Sequence, residues 1–366
     1  MKIITQSLIV TLCLSSTLLA TEAYNPIAYG VKARGMSGTG VAYLHGAESS
    51  LINPALVAYT KKSEVALGFT YMQGGADYKT DSSSLDFDME STLLPFVVMN
   101  QKIGENYNIG FSLTTLSSLN GSTSTSPTNN VVISDISKTR ISIPFAYTIA
   151  NFSVGLSGIM ERQGFTIVNM PSSPNTGYGF DLGLAYNLDA IGLSVGLDYK
   201  SKINHTMKNF DNTSGEITDM EVNTASEIAL GIAWEILDSG HAIAFDYKAL
   251  KGSEIFKIEG AADIELEDIN IFAVGYEYKS DNWSARTGYR YVSNLYDIDR
   301  AQEITVYVPY NLESHFSIGG SYKLSSTLSA DAAMTYAISN KTYTDSGSFD
   351  IDLTQASLAL GLTYHY

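Results

Sequence analysis

Apolar and small or polar residues alternate along residues 353–366, which read LTQASLALGLTYHY. Every second position from Ala356 to Tyr366 is apolar or aromatic, and the positions between them are small or polar. Because successive side chains of a β-strand point to opposite faces, this pattern predicts a strand with one apolar face. The same pattern recurs along the chain after residue 63, and no segment with a helical period follows that would cover the apolar faces.

Alternating segments of this kind fill most of the chain. They are 64–74, 86–101, 105–117, 137–150, 151–164, 176–188, 191–203, 224–237, 240–250, 267–279, 282–294, 312–324, 327–339 and 351–366. Short turns and longer polar loops alternate between them, and this alternation with an even strand count is typical of bacterial outer-membrane barrels. The sequence therefore predicts an all-β fold, a transmembrane antiparallel β-barrel of about 14 strands whose apolar outer face contacts lipid.

Aromatic residues gather at the two ends of these segments. Those next to the short turns are Tyr147, Tyr186, Trp234, Tyr278, Trp283 and Tyr366, and those at the opposite ends are Tyr71, Tyr199, Tyr247 and Tyr291. Two such girdles are expected where amphipathic rings meet the two lipid–water interfaces. Charged residues within the segments share a face with the small residues, so we assign that face to the lumen.

The N-terminus and the overall charge indicate the compartment. Residues 1–20 combine Lys2 with a short apolar core, which predicts a signal peptide cleaved near residues 20–23. The only cysteine, Cys13, lies within it, so no disulfide or thiolate site is expected in the mature chain. A net charge of −16 argues against a nucleic-acid partner. We expect the bacterial outer membrane.

Residues 24–62 do not alternate and are rich in glycine and small residues. This segment resembles the N-terminal region of the FadL/TodX family of outer-membrane transporters, including its Asn53-Pro54-Ala55 motif. The matching residues are Gly35, Met36, Gly38, Gly40, Val41, Ala42, Ala47, Ser49, Asn53, Pro54 and Ala55. The resemblance implies that residues 24–62 form a hatch that plugs the barrel, and that residues 63–366 form the barrel itself.

The resemblance also implies a function. Members of that family are monomeric barrels that move hydrophobic compounds, such as long-chain fatty acids or aromatic hydrocarbons, across the outer membrane without an energy source. This chain departs from the family pattern at 165–175, where the loop is too short for the outer capture site of the best-studied members. Surface capture of a ligand is therefore not expected to follow the family.

The strand wall contains three residues that weaken a β-ladder. Pro95 and Pro144 lie in the second and fourth segments, and Gly110 lies in the third, between them. Proline cannot donate to the ladder, and counting from the short turns predicts that all three residues lie at one level. Since the resembled family releases its ligand sideways at a kink in the third strand, we expect a lateral opening here. Isolated bulges that adjust barrel curvature are the alternative.

Charged residues suggest further sites. Arg286 and Arg290 share the lumen face of one segment and are the best candidates to bind a ligand carboxylate, although a structural network that holds the hatch is favoured for most lumen charges. Acidic loop residues could bind calcium, but solvated loop faces explain them better because no EF-type spacing is present.

The remaining expectations concern other function classes. The five histidines are scattered and show no metal or triad spacing, so we expect no catalytic residue, no metal and no cofactor. A structural, secretion or assembly barrel of the TraF-like or PorV-like kind is the alternative function, and an outer-membrane lipid hydrolase is a weaker one. Expected partners are a hydrophobic small molecule, outer-membrane lipid and lipopolysaccharide, and the barrel-assembly machinery, which would recognise Tyr366.

Overall fold

The computed structural model describes the chain over eleven stretches. They are residues 26–80, 84–89, 91–117, 120–123, 134–167, 170–171, 174–211, 217–258, 266–293, 312–343 and 349–366. The expected signal peptide lies outside the described residues, as do the loop residues 295–311 and much of the loop at 118–136.

Fourteen long strands form the wall of a closed antiparallel barrel. They are β1 (Glu64–Thr80), β2 (Thr92–Ile103), β3 (Tyr107–Ser117), β4 (Ser134–Ile149), β5 (Phe152–Ile167), β6 (Asn175–Leu188), β7 (Leu193–Lys200), β8 (Glu227–Ile236), β9 (His241–Leu250), β10 (Ile269–Lys279), β11 (Trp283–Val292), β12 (Ser314–Lys323), β13 (Leu328–Tyr343) and β14 (Phe349–His365). The strand count and the fold class expected from the sequence are confirmed.

Pairing between the first and last strands closes the barrel. The β1–β14 ladder runs without interruption from Glu64 opposite His365 to Thr80 opposite Phe349. On its other edge β1 pairs with β2, from Glu64 opposite Asn100 to Met72 opposite Thr92. Closure leaves no unpaired sheet edge, which is what a sheet in lipid requires because no water is present to satisfy backbone groups.

The two faces of the wall follow the alternation of the sequence. In β9, Ala244 and Asp246 are buried in the lumen, whereas Ile243 and Phe245 on the outer face are each 43% exposed. An outer surface of large apolar side chains would be costly in water and is favourable in hydrocarbon. The girdle residues Trp234, Trp283 and Tyr366 are similarly exposed at the strand ends.

Smaller elements lie outside the wall. Three short strands, Thr206–Asp211, Ile217–Val222 and Phe256–Ile258, form a separate sheet at the end of the barrel that carries the long loops. The short strands Ser84–Met89, Asn120–Thr123 and Met170–Pro171 pair with ends of wall strands and extend the barrel sheet, and 3-10 turns are Asp189–Ile191 and Gly252–Glu254. Among the described residues, no helix is long and apolar enough to cross a membrane.

Candidate functional site

The N-terminal segment before β1 is folded inside the barrel. It contains one short helix, α1 (Val31–Gly35), and two 3-10 helices, Gly46–Leu51 and Pro54–Tyr59. Most side chains from Ile27 to Thr60 are buried, and α1 packs against β12 and β13 while Pro54–Tyr59 packs against β4, β5 and β6. We call residues 26–60 the hatch.

The Asn53-Pro54-Ala55 motif anchors the hatch to the wall. The Asn53 carboxamide oxygen accepts a hydrogen bond from the Ala55 N–H at 3.0 Å, and Pro54 opens the 3-10 helix that follows. The amide nitrogen of the same side chain donates to the Val41 carbonyl at 2.8 Å and to the Leu184 carbonyl of β6 at 3.2 Å. One fully buried carboxamide therefore connects a turn, the preceding hatch segment and the wall.

Lumen charges hold the backbone of the hatch. The Asp246 carboxylate accepts from the N–H groups of Gly40 and Val41, at 2.8 and 3.0 Å. The Lys200 ammonium donates to the Ile52 carbonyl at 2.6 Å and is balanced by Asp181 and Asp198 on the neighbouring wall. These charges form a network of the kind expected from the sequence, in which Asp246 and Lys200 bond buried backbone groups of the hatch and Asp181 and Asp198 balance Lys200.

Lumen-facing glycines provide the space that the hatch fills. A Cβ atom added at Gly155 would lie 2.3 Å from the Ala55 nitrogen, and one at Gly196 would lie 2.0 Å from the Val41 oxygen. The same close approach occurs at Gly183, Gly231, Gly275, Gly288, Gly319 and Gly361. The sequence pattern predicts that these small residues face the lumen. Only the folded structure shows that they make room for the hatch.

Apolar patches appear in the lumen lining towards the end with the long loops. The buried apolar side chains there are Met72, Leu94, Leu116, Leu250, Ile269, Ile271, Val292 and Leu353, and they share this level with the buried polar side chains Lys138, Arg140, Glu161, Gln163, His205 and Lys248. Ile203, Val222 and Ile255, which come from the connections rather than the wall strands, are buried as well. These apolar patches of the upper lumen offer contact to a solute without hydrogen-bonding groups.

The connection after β7 folds inward over this region. Ile203 pairs with Thr224, and Gln163 of β5 donates to the Val222 carbonyl at 2.8 Å. Glu161 of β5 lies beneath the connection, where it pairs with Arg140 at 2.6 Å and contacts His205 at 3.2 Å. This end of the lumen is thus covered by the described part of the connection, which is attached through buried polar contacts.

The wall is interrupted between β3 and β4. Their ladder pairs Ile109 with Phe145 and resumes at Ser112 with Ser142, so the two positions between them are unpaired within these described strands. Gly110 and Pro144 occupy one of the two missing positions, and a Cβ at Gly110 would lie 2.7 Å from the proline ring. On the lumen face of β2, Asn100 lies opposite Gly110 and donates to the Thr60 hydroxyl of the hatch at 2.6 Å, and the apolar Val98 and Phe96 follow opposite Ser112 and Thr114, beyond the gap.

The expected position of Pro95 requires a correction. Sequence counting placed it level with Gly110, but Gly110 pairs with Asn100, which lies five residues further along β2 than Pro95. Pro95 pairs with Phe69 of β1 and lies just beyond Phe96, where the β2–β3 ladder begins. The count was wrong because the hairpin turns after Ile103, which pairs with Tyr107, so Pro95 lies eight residues from that pair and Gly110 only three. The β1–β2 ladder is continuous through Pro95, which is therefore not part of the gap.

The two candidate arginines occupy different surroundings. Arg286 forms an ion pair with Glu277 at 2.6 Å and donates to Ser321 at 2.7 Å, near the end of the barrel with short turns. Arg290 is 2% exposed, and a Cβ at Gly38 would lie 2.6 Å from its guanidinium. Both are on the lumen face, but Arg290 is enclosed by the hatch.

Other residue types bear on the alternative functions. His365 faces the lumen and lies 3.3 Å from the Glu64 carboxylate, so it is not positioned on the lipid face as a barrel lipase would require. Among the described residues, no group of three or more histidine, cysteine, aspartate or glutamate side chains is arranged to hold a metal ion.

The fold and the inserted hatch define a class, the fourteen-stranded barrels of the outer membrane with an internal N-terminal segment. The model of the Gram-negative porin family matches residues 95–343, more than half of the chain. The chain therefore belongs to the Gram-negative porin family and is an outer-membrane protein. No curated protein sequence matches it.

Solved structures share the whole fold at low sequence identity. A FadL homologue from Pseudomonas aeruginosa is 15% identical with a TM-score of 0.73, covering 96% of this chain and 99% of that one. The P. putida toluene transporter TodX is 15% identical with a TM-score of 0.76, covering 93% and 99%. The Ralstonia pickettii toluene transporter TbuX is 16% identical with a TM-score of 0.71, covering 93% and 99%. The resemblance to the FadL/TodX family is confirmed at the level of the fold.

Proposed function

We propose that this protein is a passive channel for hydrophobic compounds, either long-chain fatty acids or aromatic hydrocarbons. The apolar patches of the upper lumen carry the proposal, because Leu94, Leu116, Ile269 and Ile271 offer contact to an apolar solute, while the charges of Arg140 and Glu161 at this level are paired with each other. The toluene transporters that share this fold support it.

The hatch is proposed to close the direct route to the periplasm. Buried contacts with β5, β6, β7 and β9 hold it across the lumen. A solute in the upper lumen would then leave sideways through the gap beside Gly110 and Pro144, passing Phe96 and Val98 above the gap and the hatch contact between Asn100 and Thr60 at its level. Arg286 lies beneath the hatch and off this route, so it is a candidate to bind a fatty-acid carboxylate only on the side of the short turns, in competition with Glu277.

Uptake measurements test the proposed function directly. The protein is expressed in a Gram-negative host that lacks channels for hydrophobic compounds, and uptake of radiolabelled toluene and oleate is followed. We expect faster uptake of at least one of them, and no swelling of proteoliposomes in a disaccharide. Disaccharide permeation without toluene or oleate uptake would indicate an aqueous porin, and neither activity would favour a structural or assembly role.

A further inference from the structure

The connection between β7 and β8 folds back into the lumen in two arms. The arms are residues 201–205 and 222–226, and we call them together the strap. Backbone hydrogen bonds between Ile203 and Thr224, at 2.9 and 3.0 Å, join one arm to the other, and six of the ten strap residues are buried. Since the long loops of bacterial barrels lie on the extracellular side, the strap covers the lumen where a solute from outside would enter.

Apolar side chains of the strap lie against the lumen wall. Ile203 is 1% exposed, and Cβ atoms added at Gly177 and Gly179 of β6 would lie 2.5 and 2.7 Å from its side chain. Val222, on the other arm, is fully buried. The strap therefore fills with its own apolar side chains a space that an apolar solute would otherwise fill.

One wall carboxylate contacts both arms of the strap. Glu161 of β5 accepts a hydrogen bond from the Thr224 hydroxyl and lies 3.2 Å from Nε2 of His205. The Thr224 hydroxyl in turn accepts from the Lys138 ammonium of β4 at 2.9 Å. The side chains of Glu161 and His205 are fully buried, so these contacts form in a region of low dielectric constant, where hydrogen bonds are strong.

The same carboxylate does not depend on the strap for its charge balance. Arg140 of β4 donates to Glu161 through two nitrogen atoms, at 2.9 and 2.6 Å, and Lys138 lies 4.0 Å away. Breaking a buried ion pair is costly because it leaves an uncompensated charge. Departure of the strap leaves this pair intact, since the strap contributes a hydroxyl, an imidazole and backbone groups. The strap is thus attached in a way that permits its release.

We propose that the strap is an autoinhibitory lid, in which Ile203 and Val222 occupy the place of the solute in the upper lumen. A hydrophobic compound that arrives from outside displaces these side chains from the wall, and the strap lifts as its contacts with Glu161 break. The inference rests on the proposed function, because the displacing ligand is the transported compound. It assigns control of entry to the strap, whereas the gap between β3 and β4 concerns exit.

A disulfide tests whether the strap must lift. A Cβ at Gly177 would lie 2.5 Å from an Ile203 methyl group, so the Cβ atoms in Gly177→Cys/Ile203→Cys lie within about 4 Å, which a disulfide spans. The only cysteine of the sequence, Cys13, lies in the expected signal peptide. We expect oxidation to abolish toluene uptake and reductant to restore it, which also shows that the barrel is folded. The matched control Leu184→Cys/Leu197→Cys joins β6 to β7 and leaves the strap free, so oxidation should not change its uptake.

A substitution at Thr224 tests whether weaker attachment speeds entry. Loss of a hydrogen bond to a charged group shifts an equilibrium by about tenfold or more, so Thr224→Val should increase toluene uptake at low concentration by a similar factor. Thr224→Ser keeps the hydroxyl and should take up toluene at the unmodified rate. Heat-dependent gel mobility checks that both variants are folded.

A strap that only braces the barrel gives different results. Thr224→Val would then unfold at a lower temperature without faster uptake. The proposal is overturned if the oxidised Gly177→Cys/Ile203→Cys variant takes up toluene normally, or if Thr224→Val is no faster than Thr224→Ser.

Thiol labelling follows the strap independently of uptake. Because position 203 is buried, Ile203→Cys in whole cells should react slowly with a membrane-impermeant maleimide, and toluene or oleate should speed the reaction severalfold. Ala185→Cys, buried against the hatch, controls for general loosening of the barrel and should stay unreactive. Labelling that neither compound changes would overturn the lid, even if normal uptake supports the proposed function. Faster labelling without uptake of either compound would support the lid and overturn the proposed function.

Discussion

At the scale of single residues, glycine on the lumen face is a steric requirement. Gly155 and Gly158 lie on the same strand, but a Cβ at Gly155 would lie 2.3 Å from the Ala55 nitrogen, whereas one at Gly158 would meet nothing within 4 Å. Burial of Gly155 and exposure of Gly158 agree with this difference. The strand therefore contains its own control for the effect of a side chain on the hatch.

Gly155→Val is expected to displace the hatch. Overpacking at such a contact costs typically about 1–3 kcal/mol, so the variant should unfold at a lower temperature and conduct more in planar bilayers. Gly158→Val adds a side chain of good strand propensity on the lipid face and should leave both properties unchanged. Heat-dependent mobility on gels and single-channel recording measure the two effects. If the two variants have the same unfolding temperature and the same conductance, Gly155 is not needed to make room for the hatch.

Glu48 is expected to make hatch stability depend on pH. Burial raises the pKa of its carboxyl to about 7, although the nearby Lys32 charge opposes the shift. The folded-state pKa lies above the unfolded value near 4.5. The stability that the protonated Glu48 carboxyl gives to the folded hatch is therefore fully present below pH 4.5 and is lost as pH rises through 7. The loss is at most about 3 kcal/mol.

More hatch openings should therefore appear in bilayer recordings at pH 8 than at pH 5. Glu48→Gln keeps an acceptor for the Lys32 N–H, which the carboxylate accepts at 3.0 Å, and removes the titration. It should show few openings at both pH values. A pH dependence that persists in this variant would assign the effect to another group.

At the scale of elements, the interruption between β3 and β4 is the feature that a ligand would use. Phe111 and Ile143 lie opposite each other at an unpaired position, and Ile109 and Phe145 lie opposite each other at the next paired one. All four side chains are exposed on the outer face. A disulfide can therefore be introduced at two equivalent pairs, one within the gap and one in the bonded ladder next to it.

A disulfide at Phe111→Cys/Ile143→Cys should reduce toluene uptake sharply, because it ties the two strands together where the ladder is missing. The crosslink at Ile109→Cys/Phe145→Cys joins strands that are already bonded and should have no effect. Uptake is compared with and without reductant, and gel mobility checks that both barrels are folded. Undiminished uptake in the oxidised gap variant would exclude this exit.

A crosslink between the hatch and the wall tests whether the hatch must move during uptake. Ser37 of the hatch donates to Ser317 of β12 at 2.8 Å, so Ser37→Cys/Ser317→Cys should join the hatch to the wall under oxidation. If solutes leave through the gap between β3 and β4 without displacing the hatch, toluene uptake should be unchanged by this crosslink. Ser37→Cys alone is the control. Loss of uptake on oxidation and recovery on reduction would show instead that the hatch must move.

The strand cores were predictable at this scale because lipid on one side and the hatch on the other impose a strict period of two. The ends of the strands on the side of the long loops were harder to predict. The segment 64–74 ends at residue 74, whereas β1 continues to Thr80, and 327–339 becomes β13, which continues to Tyr343. Beyond the hydrocarbon the apolar alternation stops, but backbone pairing continues, as between Asp77 and Asp352. The lumen glycines were visible as small residues, but their partners are about one hundred or more residues away along the chain.

At the scale of the whole molecule, both ends of the barrel chain meet at one seam. The Tyr366 N–H donates to the Ser63 carbonyl at 3.0 Å, and its hydroxyl donates to Gln101 at 2.9 Å. Closure of the barrel thus uses Tyr366 directly. Its recognition by the assembly machinery remains a prediction.

Tyr366→Ala should lower the fraction of protein that is folded in the outer membrane, measured by gel mobility after cell fractionation. Tyr322→Ala removes an equally exposed aromatic near the same interface and should assemble normally. Gln101→Ala removes only the hydroxyl contact, so normal assembly of this variant would separate recognition of the ring from stability of the seam. Efficient assembly of Tyr366→Ala would contradict the prediction.

The seating of the hatch has a consequence for the time course of folding. Ser37 and Ser317 are separated by 280 positions in sequence, and Lys32 and Thr363 by 331. Contacts of such high sequence separation form slowly, because a long loop must be closed before any of them contributes. The segment translated first is therefore among the last to acquire its native contacts, and until β12 and β14 arrive it has no complete surface on which to fold.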